Sequence, residues 1–265
     1  MSAERGIRQV AELLLRSRYA VAFTGAGIST PSGIPDFRSP DSGLWTKDDP
    51  MVVASIYTFR TEPRIFYEWM QPTARLFAEA VPNSAHIALA QLEKVGLIKA
   101  VITQNIDDLH QKAGSQRVLE LHGHLREAVC LQCGEEVATA GFLDDYLVAG
   151  KVPYCSECGG ALKPKAVFMG EELPMDVLLD AQVESQKCDL MLVVGSSLTV
   201  VPAANLPIAA CRSGADLVVV NNQATPVDGI AEVVLRGDVA EVLPQIAQAC
   251  VEARRAAPSD RRPRT

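Results

Sequence analysis

The chain has 265 residues, enough for one large or two modest domains with a sizeable core. Hydrophobic residues make up 48% and charged residues 22%, an ordinary globular balance, and the formal net charge of −7 argues against general nucleic-acid binding. No apolar run approaches the ~20 residues that span a bilayer, and no apolar core follows Met1-Ser2-Ala3-Glu4-Arg5, so a cytoplasmic protein with no membrane partner is expected.

Residues 4–16 place Ile7, Val10, Leu13 and Leu14 on one helix face. The apolar run Tyr19 to Phe23 reads as a buried strand and leads into Gly25-Ala26-Gly27-Ile28-Ser29-Thr30. Two glycines one residue apart let the backbone turn sharply and approach a ligand, as dinucleotide loops do. The pattern is G-x-G-x-x-T, however, and Pro31 follows where a dinucleotide fold would continue into helix. A long connection from about Pro40 to Asn83 carries Trp45, Tyr57, Phe59, Phe66, Tyr67 and Trp69, and this aromatic content implies that it folds. A helix over Ser84–Lys94 and a strand over 100–103 follow. Beyond that strand, Gln104, Asn105, Ile106 and Asp107 put amides and a carboxylate where open α/β sheets bind ligands. The run Val118 to Leu121 precedes His122-Gly123, and a second long connection occupies about Leu125 to Pro164. The remainder alternates: helix 174–187, strand 190–194 and Gly195-Ser196-Ser197; helix 203–212, strand 216–220 and Asn221-Asn222; strand 233–235 and helix 239–253. Short, continuously apolar strands between helices predict a doubly wound, parallel α/β sheet.

Four of the seven cysteines form two C-x-x-C pairs, Cys130/Cys133 and Cys155/Cys158. Their separation matches a four-thiolate zinc ribbon, and four protein ligands make a structural site with no open position; two redox dithiols are the alternative. Cys188, Cys211 and Cys250 read as small packed hydrophobes. Of the four histidines, His122 stands at the junction with the cysteine module, where an imidazole suits a general base, although a lone histidine is commonly structural. His86, after Pro82-Asn83-Ser84, suits a packing or capping role. The arginine-rich end (Arg254, Arg255, Arg261, Arg262, Arg264) reads as a disordered basic tail over 254–265.

These strings, in this order, resemble the sirtuins, NAD-dependent protein-lysine deacylases, from about Glu4 to Gln248: Gly25-Ala26-Gly27-Ile28-Ser29, Gly33-Ile34-Pro35-Asp36-Phe37-Arg38, Thr103-Gln104-Asn105-Ile106-Asp107, His122-Gly123, both cysteine pairs, Gly195-Ser196-Ser197 and Asn221. The resemblance implies a Rossmann-like large domain over 1–43, 84–125 and 165–253. A small domain would combine a helical insertion (44–83) with a zinc ribbon (126–164). It implies NAD and Zn2+ as cofactors, with zinc on Cys130, Cys133, Cys155 and Cys158. Gly25, Ala26, Gly27 and Thr30 would line the pyrophosphate and ribose, and Asp36, Phe37 and Arg38 the loop over the nicotinamide. Gln104, Asn105, Ile106 and Asp107 would hold the nicotinamide ribose and carboxamide; Gly195, Ser196, Ser197, Asn221, Asn222, Asp238 and Val239 would hold the adenosine half. His122 would be the catalytic base, assisted by Asn105 and Asp107. Val167, Phe168, Gly170 and Glu171 would pair with the substrate peptide, with Met169 standing where the family usually has Phe. Family members that take acidic acyl groups carry Tyr-x-x-Arg in the insertion; here Tyr67 is followed by Met70, so neutral groups such as acetyl are expected. The implied activity is transfer of acetyl from a lysine of a protein or peptide partner to ADP-ribose, with release of nicotinamide, by a monomer. Mono-ADP-ribosyl transfer at the same site, and NAD binding without turnover, are the alternatives.

Overall fold

The computed structural model describes residues 3–36, 43–44 and 48–256. Phe37, Arg38, Trp45 and the tail beyond Ala256 lie outside the described residues. From the N-terminus, α1 (Ala3–Arg16) leads to β1 (Ala20–Thr24), and two short 3-10 turns (Ala26–Ile28, Thr30–Ser32) follow. The insertion contributes α2 (Pro50–Val53), α3 (Ile56–Thr61) and α4 (Pro63–Glu79). Next come α5 (Ser84–Lys94), β2 (Ile98–Thr103), α6 (Leu109–Ala113) and β3 (Val118–Glu120). The cysteine module is β4 (Gly123–Cys130), β5 (Glu136–Ala138), α7 (Leu143–Ala149) and β6 (Leu162–Ala166). The chain closes with α8 (Met175–Lys187), β7 (Leu190–Val194), α9 (Asn205–Arg212), β8 (Asp216–Val220), β9 (Val233–Leu235) and α10 (Val239–Ala256).

Six strands form a parallel sheet in the order β3-β2-β1-β7-β8-β9. That is the doubly wound 3-2-1-4-5-6 arrangement, whose switch point falls between β1 and β7. Every residue of β1 and β7 is buried, as their unbroken apolar character requires of strands covered on both faces. One face packs α1, α5 and α10 through Leu14, Leu89, Leu92, Leu243 and Ile246; the other packs α8 and α9 around Phe23, Met191 and Val219. Cys188 and Cys250 pack in these two cores, and Cys211 lies against the second.

The smaller lobe joins an antiparallel sheet, β5-β4-β6, to the helical insertion. An aromatic cluster of Phe59, Phe66, Tyr67, Tyr146 and Phe168 fastens the two together. Tyr67 donates its hydroxyl hydrogen to Leu162 O at 2.6 Å, and Tyr146 donates to Tyr67 O at 2.7 Å. The ribbon strands begin at Gly123 and end at Ala166, wider than the 126–164 expected. The helix expected to stop at 253 runs to Ala256, so the first residues assigned to a disordered tail are helical; Arg254 donates to Val95 O at 2.5 Å. Among the described residues no helix is long and apolar enough to cross a membrane.

Candidate active site

Register alone gathers most of the site. Thr24 pairs with Thr103 and with Val194, Val194 pairs with Val220, and Thr103 pairs with Glu120. Five strands therefore end on one row. The segments beginning at Gly25, Gln104, Leu121, Gly195 and Asn221 emerge together at the carboxyl edge, where open α/β sheets bind ligands.

At the switch point the Gly25 loop and the Gly195 turn cross in backbone contact. Gly27 N donates to Gly195 O at 2.8 Å. A Cβ on Gly27 would lie 2.8 Å from that oxygen, and one on Gly195, whose φ is +59°, would lie 2.3 Å from Ile28 N. Neither position has room for a side chain. This crossing answers the missing third glycine: after β1 the chain makes 3-10 turns, and Pro31 sits in the second of them, behind Thr30. Gln104 Nε2 donates to Ser196 Oγ at 2.8 Å, tying the end of β2 to the end of β7.

Behind this edge lies a buried polar network. Ser29 Oγ donates to Asp107 Oδ2 at 2.6 Å and accepts from Asn105 Nδ2 at 3.0 Å. His86 Nδ1 accepts from Asn83 N at 3.4 Å, completing the cap of α5, so its Nε2 carries the hydrogen and faces Ser29 Oγ at 3.4 Å. Asn105 N donates to Thr103 Oγ1, which accepts from Thr24; His110 Nε2 meets Thr24 Oγ1 at 2.9 Å. Asn105 is thus fixed through both side chain and backbone. Burial holds His86 down to about 4 and pushes His110 well below the ordinary range, so both rings are neutral. Burial also raises Asp107, against the hydrogen bonds from Ser29 and Leu109 N.

His122 leaves the sheet just after β3. Its Nδ1 lies 2.8 Å from Gln104 O and must carry the hydrogen to bond a carbonyl, which leaves Nε2 as the basic nitrogen. His122 O accepts from Val167 N at 2.9 Å, so the histidine and the segment 167–171 are held in mutual register. That segment is braced from below. Lys163, buried, donates to Ala166 O, Pro164 O and Glu171 Oε2, and its Nζ sits 4.2 Å over the Phe168 ring. Burial lowers the Lys163 ammonium more than Glu171 restores it. Met169 bonds Ala54 O and Ile56 N, joining the segment to the helical insertion.

Between the lobes lies a cavity of about 850 Å3. It is within the range of small-molecule and cofactor sites. Gly25, Ala26, Gly27, Thr30, Asp36, Gln104, Asn105, Ile106, His122, Val167, Phe168, Gly170 and Glu171 line it, as do Gly195, Ser196, Ser197, Asn221, Asn222 and Val239. Two expected contacts are not on the wall. Asp107 stands behind Asn105, buried, with both oxygens bonded. Asp238 spends its carboxylate on Ala240 N at the start of α10, leaving Val239 at the cavity. Sequence reasoning gave no part to Thr24, Ser29 or His110. Ser29 lies inside the quoted glycine-loop string, but its partners come from residues 57 to 78 positions away, which only the fold brings near.

The four paired cysteines converge. All four Sγ atoms lie within 4.8 Å of one another, with Cys130–Cys158 at 3.4 Å and Cys133–Cys155 at 3.7 Å. A tetrahedral zinc with Zn–S near 2.3 Å sets sulfurs about 3.8 Å apart, so the set fits the ion. The two knuckles repeat each other: Cys130 N bonds Glu135 O and Gly134 N bonds Cys130 O, while Cys155 N bonds Gly160 O and Gly159 N bonds Cys155 O.

Residues 25–202 match the model of the Sir2 family. The chain is 50% identical to NAD-dependent protein deacylase 2 of Archaeoglobus fulgidus, over 92% of this chain and 96% of that protein. It is 48% identical to the NAD-dependent protein deacetylase of Sulfurisphaera tokodaii, over 89% and 92%. It also superposes with a TM-score of 0.82 on a solved structure of Sir2Af2 bound to a myristoylated histone peptide, at 42% identity, covering 95% of this chain and 99% of that one. With the family's motifs gathered at one sheet edge and likeness running through both lobes, this chain belongs to the Sir2 family.

Proposed function

We infer that the protein is an NAD-dependent protein-lysine deacetylase that transfers acetyl from lysine to ADP-ribose and releases nicotinamide. The observation that carries this reading is one continuous cavity wall holding the crossed glycine loops, Asn105, His122 and the segment 167–171. The names of both relatives favour deacylation over mono-ADP-ribosyl transfer to protein.

NAD, when bound, supplies the electrophilic ribose carbon, a departing nicotinamide and a ribose hydroxyl that takes the acyl group. The Gly25–Gly27 loop and the Gly195 turn offer backbone close enough to approach a pyrophosphate, because neither carries a Cβ. Ser196, Ser197, Asn221 and Asn222 supply hydroxyls and amides for the adenosine half. Asn105, locked from behind by Ser29 and Thr103, presents its remaining amide capacity to the nicotinamide ribose; Asp107 is a positioning residue acting through Ser29. His122, with Nε2 unprotonated, is the base that takes the ribose hydroxyl proton. Val167 and Gly170 lend backbone groups to the acylated peptide in the manner of strand addition. Zinc held by Cys130, Cys133, Cys155 and Cys158 would be structural: it would tie the end of β4 to the turn that leads into β6, and so set the height of the segment 167–171.

We further take the enzyme to act as a monomer, since both lobes that line the cavity belong to one chain. We place it in the cytoplasm, where a reducing compartment keeps thiolates such as the Cys130, Cys133, Cys155 and Cys158 set available to a metal. The test is product identity. With an acetyl-lysine peptide and NAD, nicotinamide and O-acetyl-ADP-ribose should form in equal amounts, and label from NAD should stay off protein. Nicotinamide release independent of peptide would refute the reading.

A further inference from the structure

Helix α8 has two apolar stripes where one would suffice. Its core side is Val177, Leu178 and Ala181, which pack on the second core of the large sheet beside buried Glu184 and Ser185. The opposite side carries Met175, Leu179 and Val183, exposed by 57%, 52% and 58%. Single exposed apolar residues are ordinary. These three fall at i, i+4 and i+8, so they line up as one ridge about 12 Å long. A row of this spacing is what a second helix packs against.

The ridge is flanked by acid on one side. Asp176 and Asp180 each follow a ridge residue, are exposed, and among the described residues have no ion-pair or side-chain hydrogen-bond partner. Glu172, just before the helix, is exposed and unpartnered in the same sense. A helix start accounts for Asp176, since acids favour the first turn, but Asp180 lies in the second. The other flank, Gln182 and Gln186, is neutral. The bases at the far end are engaged: Lys187 Nζ lies 3.9 Å over the Tyr19 ring, and Arg117 pairs with Glu184 at 2.9 Å. The ridge also begins at the site. Met175 and Glu172 line the cavity although both are exposed, so the ridge runs outward along α8 from the cavity rim.

We propose that this ridge is a docking surface for the protein substrate. It takes a basic amphipathic helix neighbouring the acetyl-lysine, with the apolar row of that helix on Met175, Leu179 and Val183 and its Lys or Arg side chains against Asp176 and Asp180. The proposal rests on the deacetylase reading above and names the kind of substrate that the site receives. Docking outside the cleft leaves the chemistry unchanged. It raises the local concentration of acetyl-lysine at the cavity, so it lowers KM and leaves kcat alone. Opposite charge across the contact makes the gain depend on salt.

The test compares a short acetyl-lysine peptide with the same peptide joined, at either end through a Gly-Ser linker, to a helix bearing Leu at i, i+4 and i+8 beside Lys. A twin helix with Glu in place of Lys is the control. Nicotinamide release by the full chain is read at saturating NAD. For at least one attachment the basic conjugate should show a KM roughly tenfold below that of the short peptide at low salt, and the acidic twin should show no gain. Leu179→Ser with Val183→Ser, and Asp176→Lys with Asp180→Lys, should each erase the gain while the short peptide keeps its wild-type kcat/KM. All four side chains are exposed, so neither pair disturbs the core. Fluorescence anisotropy of the labelled basic helix alone reads docking without turnover, and saturable binding lost in both double variants supports the surface. Equal KM for the short peptide and the basic conjugate at both attachments, or a gain that survives both double variants, would overturn the docking surface and leave the deacetylase reading intact. No turnover of the short peptide would overturn the deacetylase reading, and the anisotropy measurement would then decide the surface.

Discussion

Gly27→Ala tests the glycine crossing that replaces an ordinary dinucleotide fingerprint. The added Cβ would sit 2.8 Å from Gly195 O, 3.0 Å from Gly195 Cα and 3.1 Å from Gly195 C. All three are backbone atoms of a turn whose own N donates to Val220 O through a 3.0 Å hydrogen bond, so no flexible side chain can yield. Overpacking of this kind costs about 1–3 kcal/mol. In a domain of this size that lowers the melting temperature by roughly 3–10 °C. Relief of the clash must spread β1 from β7 at the switch point, so the loop also leaves its binding geometry. Loss of an ångström of placement there should cut kcat/KM for NAD at least tenfold. Gly33→Ala is the control: φ is +85° but nothing lies within 4 Å of the added Cβ, so only left-handed strain of roughly 1–2 kcal/mol remains. Thermal denaturation and initial rates against NAD for both variants decide the point. Gly27→Ala with unchanged melting and unchanged kcat/KM for NAD would refute the reasoning.

Chelation of the metal should remove hydrogen-exchange protection from 123–166 while β1, β7 and β8 keep theirs, and should abolish activity; full activity in verified zinc-free protein would contradict the structural role. Tyr67→Phe should cost roughly 1–3 kcal/mol in urea denaturation, because Leu162 O is left buried without its donor. His86 is held down to about 4 by burial, against about 6.5 unfolded, so the unfolded chain takes up a proton that the native chain refuses. Its contribution is complete above about pH 6.5 and is lost as pH falls toward 4, for about 3 kcal/mol in all. Urea midpoints of wild type and His86→Gln between pH 7 and 4 should converge on acidification; parallel curves would show that His86 does not titrate in this window.

Strand periodicity revealed the large sheet because parallel strands covered on both faces must be apolar throughout, and 190–194, 216–220 and 233–235 match their observed limits. The paired cysteines likewise carried their own spacing. The edge strand Val118–Glu120 was harder: three half-buried residues give no periodic signal. The ribbon strands were hidden because β4 and β6 mix Arg126, Glu127, Lys163 and Lys165 among apolar positions, their pairing being set by the thiolate knuckles as much as by burial. At the site, the motifs marked the row of strand ends, but not what stands behind them. Asp107 and Asp238 read as ligand contacts because a carboxylate beside a motif looks available; in the fold one is spent on Ser29 and Leu109 N and the other on a helix start. Periodicity in 66–77 does mark one helix face, yet whether it meets a core or a cavity depends on Leu125 and Phe168, about 50 to 100 residues away.

The most direct test of the central claim is acetyl-peptide-dependent nicotinamide release by wild type and by His122→Ala. The wild type should release nicotinamide only with peptide, form O-acetyl-ADP-ribose, and lose about 10²–10⁴-fold in turnover when the imidazole is removed. Substantial peptide-dependent product formation by His122→Ala, or none by the wild type, would contradict the account.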